Sequence, residues 1–577
     1  MSIILGVNAF HAGAAASVII DGVPVIAISE ERLNRVKNYA GFPSMSIDRC
    51  LKEANINYED IDHVAVGRDK TANITEKFKY LASNPSKLIN LAKIKNSRAA
   101  IDDMKKLIAN NCNIEIDRLN FQQHNIEHHI SHIASAFFTS GWKNAAGITI
   151  DGSGDFVSCS MSYCNENEIE IKKRIFVPHS LGSLYTMVCQ FIGYGKYGDE
   201  GKVMGLAPLG EDRFANELRD MIQLDENGFK LNPKYFLPFG SNQGMSINDE
   251  GEMIVHRHYS DLMISKFGKP TERYAEITKR DMDLAHSLQK RFEDVYLHLI
   301  KLLSEMVPNE RLLLSGGCAL NSVANGKIFS KTAFKETFLH PACGDDGLAV
   351  GSALYVSNSV LNEITSSNTR NAYLGTKYSD DQIQKVLDKY KVNYIKCSRE
   401  DIIDRTSDEV INGKVIGWFQ GKMEWGPRAL GNRSIIAHPG IPNMKDILNS
   451  RIKHRENFRP FAPSVLEDYQ SEIFEHDHPS PFMLHVYKIR KKWRKRLTAV
   501  NHVDDTGRLQ SVSPEENHLY YDLIKNFYDK TGIPVLLNTS FNENEPVVES
   551  PDSAIECYLR TKMDVLVIGS FFCKKYE

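Results

Sequence analysis

The sequence predicts a mixed α/β fold in which a group of three strands occurs twice. In residues 2–30, the apolar stretches SIILGVN, AASVII and VPVIAIS are separated by FHAG and by Asp21-Gly22, a common hairpin turn. A similar group follows about 140 residues later in AAGITIDG, FVSCSMSYC and EIEIKKRIF, with the glycine-rich turn GSGD after its first strand. The repetition favours an internal duplication, although many unrelated proteins contain three-stranded meanders.

Two later stretches each combine a strand, a glycine turn and a helix, as nucleotide-binding α/β proteins do. They are ERLLLSGGCALNSVANGKIF and ETFLHPACGDDGLAVGSALYVSN. Before them, the apolar period predicts one long amphipathic helix over residues 281–307. Residues 210–275 show a weaker pattern, so we expect irregular structure or an insertion there.

A polar, turn-rich stretch, NEITSSNTRNAYLG, interrupts the pattern around residues 360–380. We therefore predict two domains, residues 1–365 and residues 366–577. The second domain is predicted to be another α/β unit, marked by VIGWFQ, GPRALGNRSI, HRENFRPFAPSV and GIPVLLNTSFN.

The composition excludes several classes of protein. The 577 residues are 42% hydrophobic and 25% charged, which is typical of globular proteins and excludes a disordered or fibrous chain. A formal net charge of -3 predicts no general attraction to nucleic acid or to an anionic membrane, and the basic run KIRKKWRKR fits a solvated hairpin tip. No apolar run is long enough to span a membrane, no signal peptide is recognised, and the ten cysteines include no CxxC pair. We therefore expect a cytoplasmic protein.

A histidine pair and two aspartates predict a metal site. His128 and His132, in HHISH, are four residues apart and share one face if this stretch is helical. Asp151 ends an apolar strand, and Asp345 lies in the CGDDG turn, where Asp346 is a competing ligand. Two imidazoles and two carboxylates suit iron, manganese or zinc. For an isolated histidine pair, simple packing of a histidine-rich helix turn would be the better interpretation.

Two glycine-rich loops, residues 151–155 and 315–321, could cradle a phosphate with consecutive backbone amides. Either loop alone could also be an ordinary tight turn. Lys202, in YGDEGKVMGLAPLG, could reach a phosphate, and a solvated turn lysine is an equal alternative. The candidate nucleotide-binding residues of these loops are Gly152, Ser153, Gly154, Asp155, Gly316, Gly317 and Asn321.

The second domain concentrates basic side chains in loops bounded by glycine and proline. Arginine binds phosphate oxygens with a planar fork, so this pattern favours anion recognition, and salt bridges within the domain are the alternative. The basic candidates are Arg428, Arg433, Lys453, Arg455, Arg459 and Arg508. The polar candidates at a following strand end are Asn538, Thr539, Ser540 and Asn542.

Longer motifs identify a family. The chain contains, in order, SEERLNRVKNYAGFP, HHISHIASAFFTSG, DGSGD, EGKVMGLAP, GGCALN, HPACGDDG, WGPRALGNRSI, RENFRPFAPSV and LLNTSFNENEPVV. With these motifs, which extend from residue 29 to about residue 550, the chain resembles the NodU/CmcH-type O-carbamoyltransferases. One departure follows the first strand, where many relatives read H-D-A-S-A or H-G-D-S-S-A and residues 11–16 here read HAGAAA. This departure leaves the contacts to the acceptor open.

The resemblance implies a fold and a set of ligands. The first domain is expected to be a duplicated, Kae1-like member of the actin/Hsp70/sugar-kinase superfamily, and the second a YrdC-like domain. The family uses carbamoyl phosphate and ATP with magnesium, and it passes through carbamoyl adenylate. It also carries a metal, iron in relatives, and the matching ligands here are His128, His132, Asp151 and Asp345. The acceptor would be a small natural product with a hydroxyl group, and relatives suggest a homodimer.

The resemblance also implies roles for the other candidates. Transfer would use Asp151, Lys202 and His11, with His11 as the base for the acceptor hydroxyl. Two alternatives share parts of the pattern: an enzyme of tRNA threonylcarbamoyl-adenosine synthesis, and a non-catalytic actin-like ATP-binding module. The near-neutral net charge argues against the first, and the arginine set argues against the second. Carbamoyl phosphate and ATP would bind Arg428, Arg433, Lys453, Arg459, Arg508, Asn538, Thr539 and Ser540.

Overall fold

The computed structural model describes residues 2–83, 101, 103–237, 244–363 and 371–575. These residues form a mixed α/β structure, as predicted, in two compact units, Met1–Arg370 and Asn371–Glu577. The domain boundary predicted between residues 365 and 366 lies outside the described residues.

Two five-stranded sheets organise the first unit. Its strands are β1 (Ile3–Asn8), β2 (Ala15–Ile20), β3 (Val23–Ser29), β4 (His63–Val66), β5 (Gln122–Asn125), β6 (Asn144–Gly154), β7 (Val157–Asn165), β8 (Glu168–Phe176), β9 (Ile222–Asp225), β10 (Gly228–Leu231), β11 (Met245–Ile247), β12 (Met253–Val255), β13 (Arg311–Ser315) and β14 (Glu336–Leu339). The sheet orders are β3-β2-β1-β4-β5 and β8-β7-β6-β13-β14. In both sheets the first three strands are antiparallel and the last two join in parallel. The two three-stranded groups expected from the sequence thus occupy equivalent places in two sheets of the same topology.

Helices pack on these sheets through apolar faces. They are α1 (Glu31–Asn34), α2 (Ser44–Ala54), α3 (Ile74–Ala82), α4 (Met104–Cys112), α5 (His128–Ser140), α6 (Leu181–Phe191), α7 (Glu200–Leu206), α8 (Ala215–Met221), α9 (Asp261–Phe267), α10 (Lys279–Met306), α11 (Ser322–Asn325), α12 (Ile328–Lys331) and α13 (Leu348–Tyr355). The long helix predicted over residues 281–307 is α10, which starts slightly earlier because Thr278 and Asp281 form a capping box. Helix α13 packs against both α5 and β1, and this contact brings the ends of several elements together.

The glycine-rich turn differs from the expectation. Residues 151–154 continue β6 instead of turning, and the turn is made by Asp155 and Phe156, whose φ angles are 46° and 76°. The pairing of β6 with β7 shifts register between Ile150 and Gly154, an irregularity that glycine tolerates. The region 210–275, expected to be irregular, contains two small hairpins, β9-β10 and β11-β12, within its described part.

The second unit is built on a nine-stranded sheet of order β15-β23-β22-β16-β17-β21-β18-β20-β19. These strands are β15 (Ile395–Lys396), β16 (Ile416–Phe419), β17 (Arg433–Ala437), β18 (Ala462–Leu466), β19 (His485–Lys488), β20 (Thr506–Val512), β21 (Val535–Ser540), β22 (Val565–Ile568) and β23 (Phe571–Lys574). Its helices are α14 (Asp380–Lys389), α15 (Arg399–Ile411), α16 (Met444–Leu448), α17 (Gln470–Ile473), α18 (Lys491–Arg494), α19 (Pro514–Thr531) and α20 (Pro551–Arg560).

The basic run at residues 488–496 begins at the end of β19 and lies in the connection to its antiparallel partner β20, as expected of a hairpin tip, and part of it forms the short helix α18. Trp493 buries its ring and anchors the segment, while most of the basic side chains around it are exposed. Among the helices of the described residues, none combines the length and the apolar character that crossing a membrane requires.

Candidate functional site

The histidine pair lies at the start of helix α5 in the first unit. Glu127 caps this helix by accepting a hydrogen bond from the Ile130 amide, and Gly141 ends it in the left-handed conformation. His128 and His132 are therefore on one face, one turn apart, with their Nε2 atoms 3.1 Å from each other. Both side chains are buried, so neither is a simple surface histidine.

Two buried aspartates complete the group. Asp151 comes from β6, and Asp345 begins the turn that leads into α13. Asp151 Oδ2 lies 3.4 Å from His128 Nε2, and Asp345 Oδ1 lies 3.4 Å from His132 Nε2. One ligand atom from each of the four residues falls within a span of 4.8 Å. The structure thus brings together the four predicted ligands from three separate stretches of chain.

In each aspartate, the carboxylate oxygen that does not face the histidines has a partner within the protein. The amide of Gly317 donates to Asp151 Oδ1 over 2.8 Å, and His11 Nδ1 lies 2.9 Å from Asp345 Oδ2. Asp151 Oδ2 and Asp345 Oδ1 are left facing the imidazoles, and the buried Asp345 Oδ1 makes no hydrogen bond with any described residue. Such an orphaned, buried oxygen beside three other donors fits a divalent cation.

The charge states of three of the four residues also suit a cation. Burial would lower the pKa of the fourth, His132, but Asp345 and Asp151 raise it. Burial and the neighbouring Asp345 act to raise the pKa of Asp151, but His128 and His132 outweigh them and lower it to about 2. Asp345 is likewise held ionised, against the effect of burial, by His11, His132 and His128. Burial lowers the pKa of His128 and favours the neutral imidazole that ligates metals.

A carboxylate behind the group holds it in place. Asp155 Oδ2 accepts hydrogen bonds from the His128 amide over 3.0 Å and from the Asp69 amide over 2.8 Å. Gly154 is required next to it, because a Cβ atom there would lie about 2 Å from the His128 ring. Asp155, predicted to bind nucleotide, therefore has its carboxylate engaged in joining the start of α5 to the loop after β4.

The other predicted loop residues lie around the same group. Gly316 has a φ of 89°, and a Cβ atom there would collide with the Ile150 carbonyl. Asn321 caps α11 and exchanges hydrogen bonds with Gln289 of α10, so its amide is engaged within the protein. Gly152 has open space where a Cβ would be. Ser153 is partly exposed.

Lys202 lies on α7 rather than in the turn considered from its sequence. Its ammonium group is 2.9 Å from Asp199 and 5.4 Å from the centre of the Tyr194 ring. The lysine is partly exposed, and the described structure gives it an acidic partner in the same stretch of chain.

The second unit gathers arginines around β20. Arg508 is on this strand, Arg428 is in the loop between β16 and β17, and Arg455 and Arg459 precede β18. Burial, together with the positive charges of those three arginines, lowers the pKa of Arg508 well below its usual value. Arg508 Nε has no hydrogen-bond partner among the described residues. A cluster of like charges that repel one another is stabilised by an anion.

Two other predicted cations are placed differently. Arg433 is fully buried, and its guanidinium donates to the carbonyls of Gln420, Asn432 and Thr376 while lying over the Phe419 ring. Lys453 is also buried, and its ammonium donates to oxygens of Ser540 and Asn542. Most of their donors are used inside the fold, although Arg433 Nε has no hydrogen-bond partner among the described residues. A role of either side chain in binding an anion stays a prediction.

The predicted polar strand residues form part of a buried network. Asn538 Nδ2 donates to Ser464 Oγ and Gln510 Oε1, over 3.1 and 2.9 Å, while its Oδ1 has no partner among the described residues. Ser540 donates to Asn542 Oδ1. Thr539, next along β21, is partly exposed.

Two residues near these sites were not predicted from the sequence. Glu424 Oε1 accepts hydrogen bonds from the Leu430, Asn432 and Arg433 amides, so it fixes the loop that carries Arg428. Arg68 follows β4, and the negative charges of Asp155 and Asp345 interact with its guanidinium. Neither stands in a motif with a recognised mechanism, and no sequence signal would have identified them.

Comparison with solved structures gives distant matches. HypF from T. kodakarensis is 14% identical, with 64% of this chain and 50% of that chain covered and a TM-score of 0.32. Component A of (R)-2-hydroxyglutaryl-CoA dehydratase from Acidaminococcus fermentans is 13% identical, with 62% and 98% covered and a TM-score of 0.32. These likenesses are too low to support an argument about fold or ligand.

Comparison of sequences is more informative. An uncharacterized protein of Synechocystis is 36% identical over 621 residues, covering 100% of this chain and 97% of its own. Nodulation protein NolNO of Sinorhizobium fredii is 36% identical over 579 residues, covering 98% and 80%. Nodulation protein U of the same organism is 26% identical over 560 residues, covering 93% of each chain.

Family descriptions match both units. Residues 3–354 match the family described as "Carbamoyltransferase N-terminus", and residues 407–575 match "Carbamoyltransferase C-terminus". The chain therefore belongs to the carbamoyltransferase family and is a transferase enzyme.

Proposed function

We propose that this enzyme is an ATP-dependent O-carbamoyltransferase in which each unit carries out one step. The single observation that carries the proposal is the pairing, in one carbamoyltransferase chain, of a cation-type site and an arginine cluster. The family resemblance supports the same division, with an actin-like first domain and a YrdC-like second domain.

The second unit would make carbamoyl adenylate. Water cleaves carbamoyl phosphate to carbamate and phosphate, and a carbamate oxygen then attacks the α-phosphorus of magnesium-bound ATP and releases pyrophosphate. Arg508, with Arg428, Arg455 and Arg459, supplies positive charge for the phosphate groups. Asn538 Oδ1, which has no hydrogen-bond partner among the described residues, would accept a hydrogen bond from the carbamoyl amide.

The first unit would transfer the carbamoyl group to a hydroxyl of a small natural product. His128, His132, Asp151 and Asp345 would hold a divalent metal, iron by resemblance with manganese or zinc as alternatives, and it would supply Lewis acidity toward a phosphate or carbonyl oxygen. His11 faces Asp345 with Nδ1, which leaves Nε2 to take the proton of the acceptor hydroxyl. The acceptor's identity and a homodimeric state stay predictions from the resemblance, and a cytoplasmic location stays a prediction from the composition.

The test supplies purified, metal-loaded protein with magnesium, ATP and carbamoyl phosphate, without any acceptor. We expect pyrophosphate release that depends on carbamoyl phosphate, and carbamoyl adenylate detected by mass spectrometry. ATP turnover at a rate that does not depend on carbamoyl phosphate would favour an ATP-binding module instead. An adenylate formed only with L-threonine and bicarbonate would favour the tRNA-modification chemistry.

A further inference from the structure

Arg68 lies beside the cluster formed by His128, His132, Asp151 and Asp345. Strand β4 ends at Val66, and the next residue, Gly67, is packed so closely that a Cβ atom there would lie 2.8 Å from Leu348 Cβ and 3.5 Å from Ser131 Cβ. Leu348 begins the helix that follows the Asp345 turn, and Ser131 lies between the two histidines on α5. The backbone of Arg68 is therefore held next to the Asp345 turn and to the histidine pair.

The loop after Arg68 is tied to the same place. The Asp69 amide donates to Asp155 Oδ2 over 2.8 Å, and that oxygen also accepts the hydrogen bond from the His128 amide. One carboxylate oxygen thus joins the residue after Arg68 to the first histidine of the cluster. This bond fixes where the Arg68 side chain starts.

The charge of Arg68 has no partner of its own. Across the part of the chain that the structure describes, its guanidinium makes no hydrogen bond and no ion pair, although the side chain is only partly exposed. Burial lowers its pKa, and the charges of Asp155 and Asp345 counter this effect. A half-buried guanidinium without hydrogen bonds is costly, so its five donors suit an anionic ligand in this site.

We propose that Arg68 binds the phosphate of carbamoyl adenylate during the transfer step. The inference rests on the proposed function and adds a residue to it. In this step the acceptor oxygen bonds to the carbamoyl carbon, the bond from that carbon to the phosphate oxygen breaks, and the hydroxyl proton goes to the base. AMP leaves with one more negative charge than its phosphate had in the adenylate.

Because of this change in charge, we expect Arg68 to act on the transition state of the transfer step. A guanidinium beside the phosphate interacts more strongly as negative charge grows, so it stabilises the transition state more than the bound adenylate. The acceptor hydroxyl is neutral, so it offers a guanidinium no comparable electrostatic attraction. Arg68 should therefore affect the rate of transfer and leave the synthesis of adenylate in the second unit unchanged.

The experiment compares wild type, Arg68→Gln and Arg68→Lys, with Arg118→Gln as a control. Arg118 is an exposed arginine of the same unit that pairs with Glu59 on the surface. Because the acceptor is unidentified, water is the acceptor used. Pyrophosphate release measures synthesis of the adenylate, AMP release measures transfer to water, and elemental analysis measures bound metal.

In a single turnover, we expect Arg68→Gln to slow AMP release about 100-fold, with the rate of pyrophosphate release and the metal content unchanged. Arg68→Lys should keep part of the rate, since it retains the charge without the fork, and Arg118→Gln should match wild type. AMP release at the wild-type rate in Arg68→Gln would overturn the inference alone, as would loss of metal from that variant. No adenylate in wild type would overturn the proposed function, and the inference with it.

Discussion

The two candidate sites are opposite in their charge. In the first unit, the carboxylates of Asp151 and Asp345 meet the imidazoles of His128 and His132, and the attraction between them lowers the pKa of both acids. In the second unit, Arg508 is buried among other arginines, and burial together with their repulsion lowers its pKa. The first arrangement is ready for a cation, and the second needs an anion.

The comparison shows how buried charge identifies a ligand. Oxygens that face a common centre and lack hydrogen bonds, such as Asp345 Oδ1, call for a positive ion. Guanidinium groups brought together against their repulsion call for phosphate. Arg433 and Lys453 differ from Arg508, because carbonyl oxygens of the fold accept most of their hydrogen bonds.

The largest expected effect is the loss of the cation site. His128→Ala with His132→Ala removes two of the four donors, so stoichiometric metal should disappear, as measured by elemental analysis. His124→Gln, at a partly buried histidine paired with His63 elsewhere in the unit, should keep the metal. Metal at wild-type stoichiometry in the double variant would show that the site lies elsewhere.

The next effect concerns the anion site. Arg508→Gln should reduce carbamoyl phosphate-dependent pyrophosphate release by about 10²–10³-fold, since it removes the central charge of the cluster. Metal content should not change. The exposed Arg496, which donates to the Gly532 carbonyl, offers a control, Arg496→Gln, that should behave as wild type. Undiminished pyrophosphate release in Arg508→Gln would contradict the assignment.

Arg433 provides a sharper version of the same comparison. Arg433→Met leaves three buried carbonyls without their donor, so the second unit should lose about 3 kcal/mol of stability, measured by urea unfolding. The surviving folded protein should still release pyrophosphate. A variant that is as stable as wild type but cannot make pyrophosphate would place Arg433 in contact with the ligand instead.

The smallest effect is on pH dependence. Burial alone would lower the pKa of His132, but Asp345, Asp151 and Glu127 raise it above 6.5. A ligating imidazole must be neutral, so protons compete with metal as the pH falls, while Asp151 stays ionised. Metal affinity should therefore decrease by up to about tenfold per pH unit between pH 7 and 6, in a chelator competition. An affinity independent of pH would argue against His132 as a ligand.

Much of the fold could be predicted because its signals are local. The apolar stretches around the Asp21-Gly22 turn predict β1 to β3. The helical period of apolar residues predicts both ends of α10 to within two residues. The turn expected over GSGD, residues 152–155, begins only at Asp155 in the structure, since glycine permits both a turn and an irregular strand. The spacing of His128 and His132 predicts that they share one face. The end of an apolar strand and the CGDDG turn indicated Asp151 and Asp345, and the family motifs match all four residues.

The rest of the site depends on long-range packing. No sequence pattern tells whether the guanidinium of Arg433 contacts carbonyls or that of Arg508 contacts other arginines, because their neighbours come from separate parts of the chain. Arg68 lies in no motif, and its position follows from the packing of Gly67 and from the hydrogen bond between the Asp69 amide and Asp155. Asp155 had its carboxylate engaged by amides that are distant in the sequence.

The most direct measurement is mass spectrometry for carbamoyl adenylate in three proteins given ATP and carbamoyl phosphate. If each unit carries one step, wild type should form it, the His128→Ala, His132→Ala protein should accumulate it, and Arg508→Gln should form none. An adenylate absent from the double histidine variant, in protein shown to be folded, would contradict the division of labour between the two units, as would its formation by Arg508→Gln.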